Sequence, residues 1–154
     1  MGLSIGMAQA DRILGHDRLV FLVMSDGELQ EGSVWETMMM AANLRLNSLV
    51  AFIDHNGFQS FGRTAETHPA FYPIADKIRA FGWECVEVDG HDTTAIHNAV
   101  NDRTGDRPFM VVANTVKGRG VSFMENVPMW HFRSPNAAEY ELAIREIKGL
   151  SNAK

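Results

Sequence analysis

Two short polar clusters hold the residue types that do chemistry, Ser25-Asp26-Gly27-Glu28 and Asp54-His55-Asn56-Gly57-Phe58. The Asp26 carboxylate and the Asn56 amide oxygen are hard oxygen donors. One of each at the same spot suits Mg²⁺, which completes an octahedral shell with water and ligand phosphates. Gly27 permits close backbone approach, and the start of a helix just after it favours an anion. Together these residues read as a partial shell for a Mg²⁺ ion that carries a ligand's phosphates. An Asp-Gly pair after a strand also makes an ordinary turn or helix cap, and spacing alone leaves both readings open.

The elements that must position these clusters are legible as alternating strands and helices. Four apolar, β-branched-rich runs bounded by turn residues predict strands at Leu19–Met24, Leu49–Ile53, Trp83–Val88 and Phe109–Ala113. Helical spacing predicts a helix over residues 3–15 and another that starts near Glu31 and faces Trp35, Met38, Met39, Ala42 and Leu46 inward. Asp76–Phe81 reads as the end of a further helix. Asp92 caps another with Ile96, Ala99 and Val100 inside, and Ser134-Pro135 opens the last, with Tyr140, Ala143, Ile144 and Ile147. This order predicts a three-layer, doubly wound α/β fold with a mainly parallel sheet. In such a fold, strands joined by one right-handed crossover end on the same sheet edge. Asp26 and Asn56 therefore converge despite thirty residues of separation. The aperiodic stretches 55–70 and 115–134 follow strands, where open α/β sheets carry their ligands.

A chain of 154 residues supports one domain. Fourteen basic against nineteen acidic residues leave a net charge of −5, which excludes the basic footprint of a nucleic-acid or anionic-membrane binder. The single cysteine, Cys85, excludes a disulfide framework and a cysteine-based zinc cluster, and fits a reducing compartment, so a cytoplasmic location is expected. Neither Leu19–Met24 nor Leu49–Ile53 approaches the length that crosses a bilayer, and the start, MGLSIGMAQADRILG, lacks the features of a secretory signal.

The stretch SDGELQEGSVWETMMMAANLRLNSLVAFIDHNGFQS resembles the thiamine-diphosphate signature of transketolases, and AFGWECVEVDGHD and NTVKGRGVSFMENVPMWH resemble later segments of that family in the same order. The resemblance runs from GLSIGMAQA to about His131 and is closest to the N-terminal subunits of split transketolases. It implies a thiamine-diphosphate, Mg²⁺-dependent enzyme that transfers a two-carbon ketol unit between ketoses and aldehydes. In such enzymes the cofactor brings the reactive carbon and the protein brings orientation and proton management. It implies Asp26 and Asn56 as side-chain metal ligands and Phe58 as a backbone-carbonyl ligand. Ser25, Gly27 and Glu28 fall in the cofactor-binding turn, with Ser25 where the usual motif has its first glycine. Glu31 falls on a carboxylate that relays toward the activating glutamate of a partner domain. Lys117 and His131 fall on elements reaching the cofactor and the substrate end of the cleft. The resemblance also makes residues 1–154 a single, partial domain. The pyrimidine-binding half of the site is then expected on a partner chain, with an upstream segment on another, within a homo- or hetero-oligomer.

Each residue has a plainer reading. Glu31 suits a helix dipole, Lys117 and Arg119 suit a solvated loop, and His131 suits packing beside Trp130. Met38, Met39 and Met40 read as helix core or subunit interface, with Val34, Met40 and Ala41 widening the apolar face, so self-association or partner binding is expected there. Cys85 reads as buried and inert. His16, His55, His68, His91 and His97 share no metal-ligand spacing, and only His55 adjoins a candidate ligand. The functional alternatives are a non-catalytic assembly partner, a 1-deoxyxylulose-phosphate-synthase-like or 2-oxo-acid-dehydrogenase-like enzyme, and an unrelated phosphate-binding α/β module.

Overall fold

The β-branched runs form four parallel strands, β1 (Val20–Ser25), β2 (Leu49–His55), β5 (Glu84–Asp89) and β6 (Phe109–Asn114), in the order β1-β2-β6-β5. The computed structural model describes residues 1–60 and 62–151. Each predicted strand lies within one residue of its observed start, and all pairings are parallel, as the βα alternation requires. The helices are α1 (Gly2–Leu14), α2 (Gly32–Asn43), α3 (Thr64–Thr67), α4 (Ile74–Ala80), α5 (Thr93–Asn101) and α6 (Ala137–Ser151). A two-residue antiparallel ribbon, β3 (Phe58–Gln59) with β4 (Gly62–Arg63), follows β2; its strands are too short to announce themselves by periodicity.

Alternation along the strands sorts the core. Met24, Leu49, Ala51, Ile53, Cys85, Met110 and Val112 face one side and meet Ile5 and Ala8 of α1, Val34, Met38 and Ala41 of α2, and Ile74 and Ile78 of α4. Val50, Phe109 and Val111 face the other side, where Ala99 and Val100 of α5 cover them. That second helical layer is incomplete. On β1, Phe21 and Val23 point to this side and remain 58% and 71% exposed, with Phe21 stacked on Phe52 at 6.3 Å.

The helix boundaries follow some of the sequence signals and depart from others. Asp92 caps α5 as expected, accepting the N–H groups of Thr94 and Ala95. The last helix is opened by Asn136 rather than Ser134-Pro135. Asn136 Oδ1 accepts Glu139 N–H at 3.0 Å and Glu139 Oε2 accepts Asn136 N–H at 2.8 Å, a reciprocal capping box. The buried stripe of α2 is Val34, Met38 and Ala41, while Met39 is 48% exposed and Leu46, though buried, lies past the helix end. The expected face was rotated because three adjacent methionines give hydrophobicity no direction. Among the described residues, no helix is long and apolar enough to cross a membrane.

Candidate functional site

Parallel pairing sets Ser25 beside Asp54, so the residues that follow β1 and β2 leave the sheet side by side. Asp26 donates its N–H to the Asp54 carbonyl at 3.4 Å and is fully buried. Its Oδ2 accepts the Gly57 N–H at 2.7 Å and lies 3.2 Å from His55 Nδ1. Its Oδ1 is buried with no hydrogen-bond partner. Asn56 is held in place from both ends of its amide: Oδ1 accepts Phe58 N–H and Nδ2 donates to Asp54 Oδ2, each at 2.9 Å. The second oxygen of Asp54 takes the Thr115 hydroxyl, which ties the end of β6 into the same network.

An orphaned buried carboxylate oxygen on one loop and, on the loop after the neighbouring strand, an amide oxygen that still has a lone pair are the donor chemistry of a hard cation. Among the described residues, no group of three or more His, Cys, Asp or Glu is placed to hold a metal. A cation held here must therefore take most of its shell from water or from the phosphates of a ligand.

Beside these loops lies a cleft of about 330 Å³, walled by Ser25, Gly27, Glu31, Asn56, Phe58, Lys117 and His131, together with Gln30, Gln59 and Ser60; Asp26, fully buried, is not itself in the wall, although its neighbours Ser25 and Gly27 are. Seven residues singled out in the sequence thus share one wall although they come from three separate loops. Glu28, exposed at the start of a 3₁₀ turn, is not part of it. Ser25 ends β1, and its Oγ accepts the Glu28 N–H at 3.2 Å. The serine in the glycine position therefore caps the turn without a left-handed backbone. Gly27 adopts right-handed helical angles, φ −63° and ψ −38°, so its value lies in leaving the cleft wall free of a side chain.

Glu31 is the N-cap residue of α2 but makes no side-chain capping bond, which leaves its carboxylate at the cleft rather than spent on the helix. Lys117 sits in the loop after β6. Its carbonyl accepts Asn126 N–H at 2.8 Å, and the loop start is pinned where His91 Nε2 accepts Val116 N–H at 2.8 Å. His131 ends a 3₁₀ turn, exposed, with its ring edge-on to Phe132 at 4.7 Å. Trp130 is held separately, donating Nε1–H to the Phe123 carbonyl at 2.9 Å.

Sequence reasoning missed Gln30, Gln59 and Ser60 in the wall and the support supplied by His91, Thr64 and Tyr72. Gln30 had a signal, its place two residues before α2 in the cofactor-like motif. The others depend on contacts between loops. Cys85 is buried as expected, and burial pushes its thiol up to about 12.

The family model "Transketolase, thiamine diphosphate binding domain" matches residues 6–153. The chain is 36% identical over 149 residues to an apulose-4-phosphate transketolase subunit of Phocaeicola vulgatus, covering 96% of this chain and 53% of that protein. It is 37% identical over 147 residues to the 6-deoxy-6-sulfo-D-fructose transketolase subunit SqwG of a Clostridium species, covering 94% and 53%. The chain spans about half the length of these curated relatives. Among solved structures, the Campylobacter jejuni transketolase superposes with a TM-score of 0.73 at 19% identity, covering 98% of this chain and 28% of that one, which speaks to the fold.

Proposed function

Because this chain belongs to the transketolase thiamine diphosphate binding family, we propose that it supplies the Mg²⁺-diphosphate half of the cofactor site in a transketolase-like enzyme. In this reading Asp26 and Asn56 ligate Mg²⁺ through their side chains and Phe58 through its backbone carbonyl. The Ser25–Gly27 turn and Lys117 face the diphosphate. Glu31 relays a proton toward a carboxylate of the partner domain, and His131 stands at the substrate end. Bound thiamine diphosphate supplies the nucleophilic carbon that takes up a two-carbon ketol unit from a ketose. The protein's own contribution is to hold the diphosphate, orient the cleft and manage protons.

The observations that support this reading most are the buried, partnerless Asp26 Oδ1 and a cleft that gathers its neighbours Ser25 and Gly27 with Glu31, Asn56, Lys117 and His131. In this reading a pyrimidine-binding domain on a partner chain completes the site, in a homo- or hetero-oligomer. The substrates are then ketose and aldose sugars or their phosphates, the role is in carbohydrate metabolism, and the location is cytoplasmic.

The test is turnover of a ketose phosphate with thiamine diphosphate and Mg²⁺ by the purified chain alone and by the chain reconstituted with pyrimidine-domain partners. Activity only in the mixture is expected, because lost preorganisation costs orders of magnitude in rate. Robust turnover by the lone chain overturns the half-site assignment. Absence of activity in every mixture overturns the enzymatic reading in favour of a non-catalytic partner.

A further inference from the structure

The carboxylate of Asp26 is not free to choose which oxygen it presents. Gly57 N–H reaches Oδ2 at 2.7 Å and His55 Nδ1 lies 3.2 Å from the same atom. A carboxylate only accepts, so the proton of this contact sits on Nδ1. Two donors on one oxygen fix the carboxylate plane and leave Oδ1 buried and empty-handed.

His55 is in turn braced. The Tyr72 ring lies tilted against it with centroids 5.7 Å apart, and Tyr72 Oη is 2.5 Å from Oγ1 of Thr64, which is fully buried. Thr64 N–H donates to the Gly57 carbonyl at 3.0 Å. The contacts Asp26–His55–Tyr72–Thr64–Gly57–Asp26 thus close a ring. Its members come from the ends of β1 and β2, from α3 and from the segment before α4.

We propose that His55, steadied by Tyr72, is a positioning residue that turns Asp26 so that Oδ1 meets a divalent cation, an inference that rests on the metal reading above. A histidine in this place does not touch the cation. It holds the ligand that does, and outer partners of metal ligands commonly set affinity by 10- to 100-fold.

The test titrates the Mn²⁺–pyrophosphate complex into the full chain and follows uptake by water-proton relaxation. H55F keeps a ring against Tyr72 and loses the donor; H55N keeps a donor at the Nδ1 position and loses the ring. H55F is expected to weaken uptake roughly 10-fold with its metal-free melting temperature little changed, and H55N to stay within about threefold of wild type. If H55F is too unstable to purify, H55Q, whose amide donor reaches the Nε2 position instead, is expected to show the same loss. Uptake by H55F, or by H55Q in its place, within twofold of wild type overturns the positioning role. So does a loss in H55N as large as in H55F, because it assigns the effect to the ring. D26N separates the two readings. Uptake lost in D26N and unchanged in H55F defeats the His55 inference alone. Uptake unchanged in D26N, or undetectable in wild type, defeats the metal reading and this inference with it.

Discussion

Gly57 N–H donates to the buried Oδ2 of Asp26 at 2.7 Å, so the residue after β1 fastens the loop after β2. Asp26 therefore has a structural duty as well as a chemical one. Full burial and two donors on one oxygen give this strand-end carboxylate weight in the fold.

Asp26→Ala is expected to lose both diphosphate-linked metal binding and stability. It strands a buried N–H and a histidine donor, which costs about 1–3 kcal/mol, or roughly 2–12 °C in melting temperature for a chain of this size. Asp26→Asn keeps an oxygen for Gly57 and removes the charge, so it should lose binding with a smaller drop in melting temperature. Calorimetric titration with thiamine diphosphate and Mg²⁺, beside thermal unfolding, checks both. Equal melting shifts in the two variants would contradict this division of labour.

The sheet and its ligand edge were legible because β-branched runs end at Gly, Asp and Asn, and because one crossover puts Asp26 and Asn56 at the same edge. The ring through His55 and Tyr72 was not legible, since it depends on side chains from separate loops meeting across the end of β2. Nor was the exposure of Phe21 and Val23. A continuous apolar run reads as buried on both faces, and only the structure places helices over one side of β1. The stripe of α2 was misplaced for the opposite reason: its sequence is apolar nearly all round.

Cys85 gives a prediction with a sign. Burial raises its thiol from an ordinary value of 9.0 to about 12, so the folded state favours the neutral form. That preference is fully present below about pH 9 and is lost as pH rises toward 12. At pH 8, iodoacetamide should label the native chain at least ~100-fold more slowly than the urea-unfolded chain, because the thiolate is the nucleophile. Mass spectrometry of quenched time points reads the ratio, and labelling at comparable rates would mean the strand face is open.

Glu146 of α6 accepts the N–H and the hydroxyl of Ser122, at 2.5 and 2.7 Å, and these bonds hold its carboxyl below the usual 4.5. A lowered folded value contributes stability above pH 4.5 that disappears as pH falls through the folded value. Protection of the Ser122 amide against hydrogen exchange should therefore weaken on acidification below about pH 4.5, relative to core amides of β2. Glu146→Gln should reproduce part of that loss at pH 7. The effect should stay local, since the pair is exposed to solvent and screened by it.

Gly118 should be the least replaceable residue of the loop that carries Lys117. Its φ is +76°, in the left-handed region, and an added Cβ would sit 2.6 Å from the Met124 carbonyl oxygen. An alanine meets two separate costs. The left-handed backbone disfavours any L side chain by about 1–2 kcal/mol, and the clash is with backbone, which cannot swing aside as a flexible side chain would. Relief requires the turn that bonds Asn126 N–H to the Lys117 carbonyl to open, and Lys117 then leaves the cleft wall. Gly118→Ala is expected to lower the melting temperature by several degrees and to weaken pyrophosphate binding, whereas Gly149→Ala, where an added Cβ meets nothing within 4 Å, should do neither. Hydrogen exchange across residues 116–127 checks the cause. Faster exchange there with unchanged exchange in β6 marks a loosened loop, and unchanged exchange in both, with wild-type binding, would show that the loop accommodates a side chain at this turn.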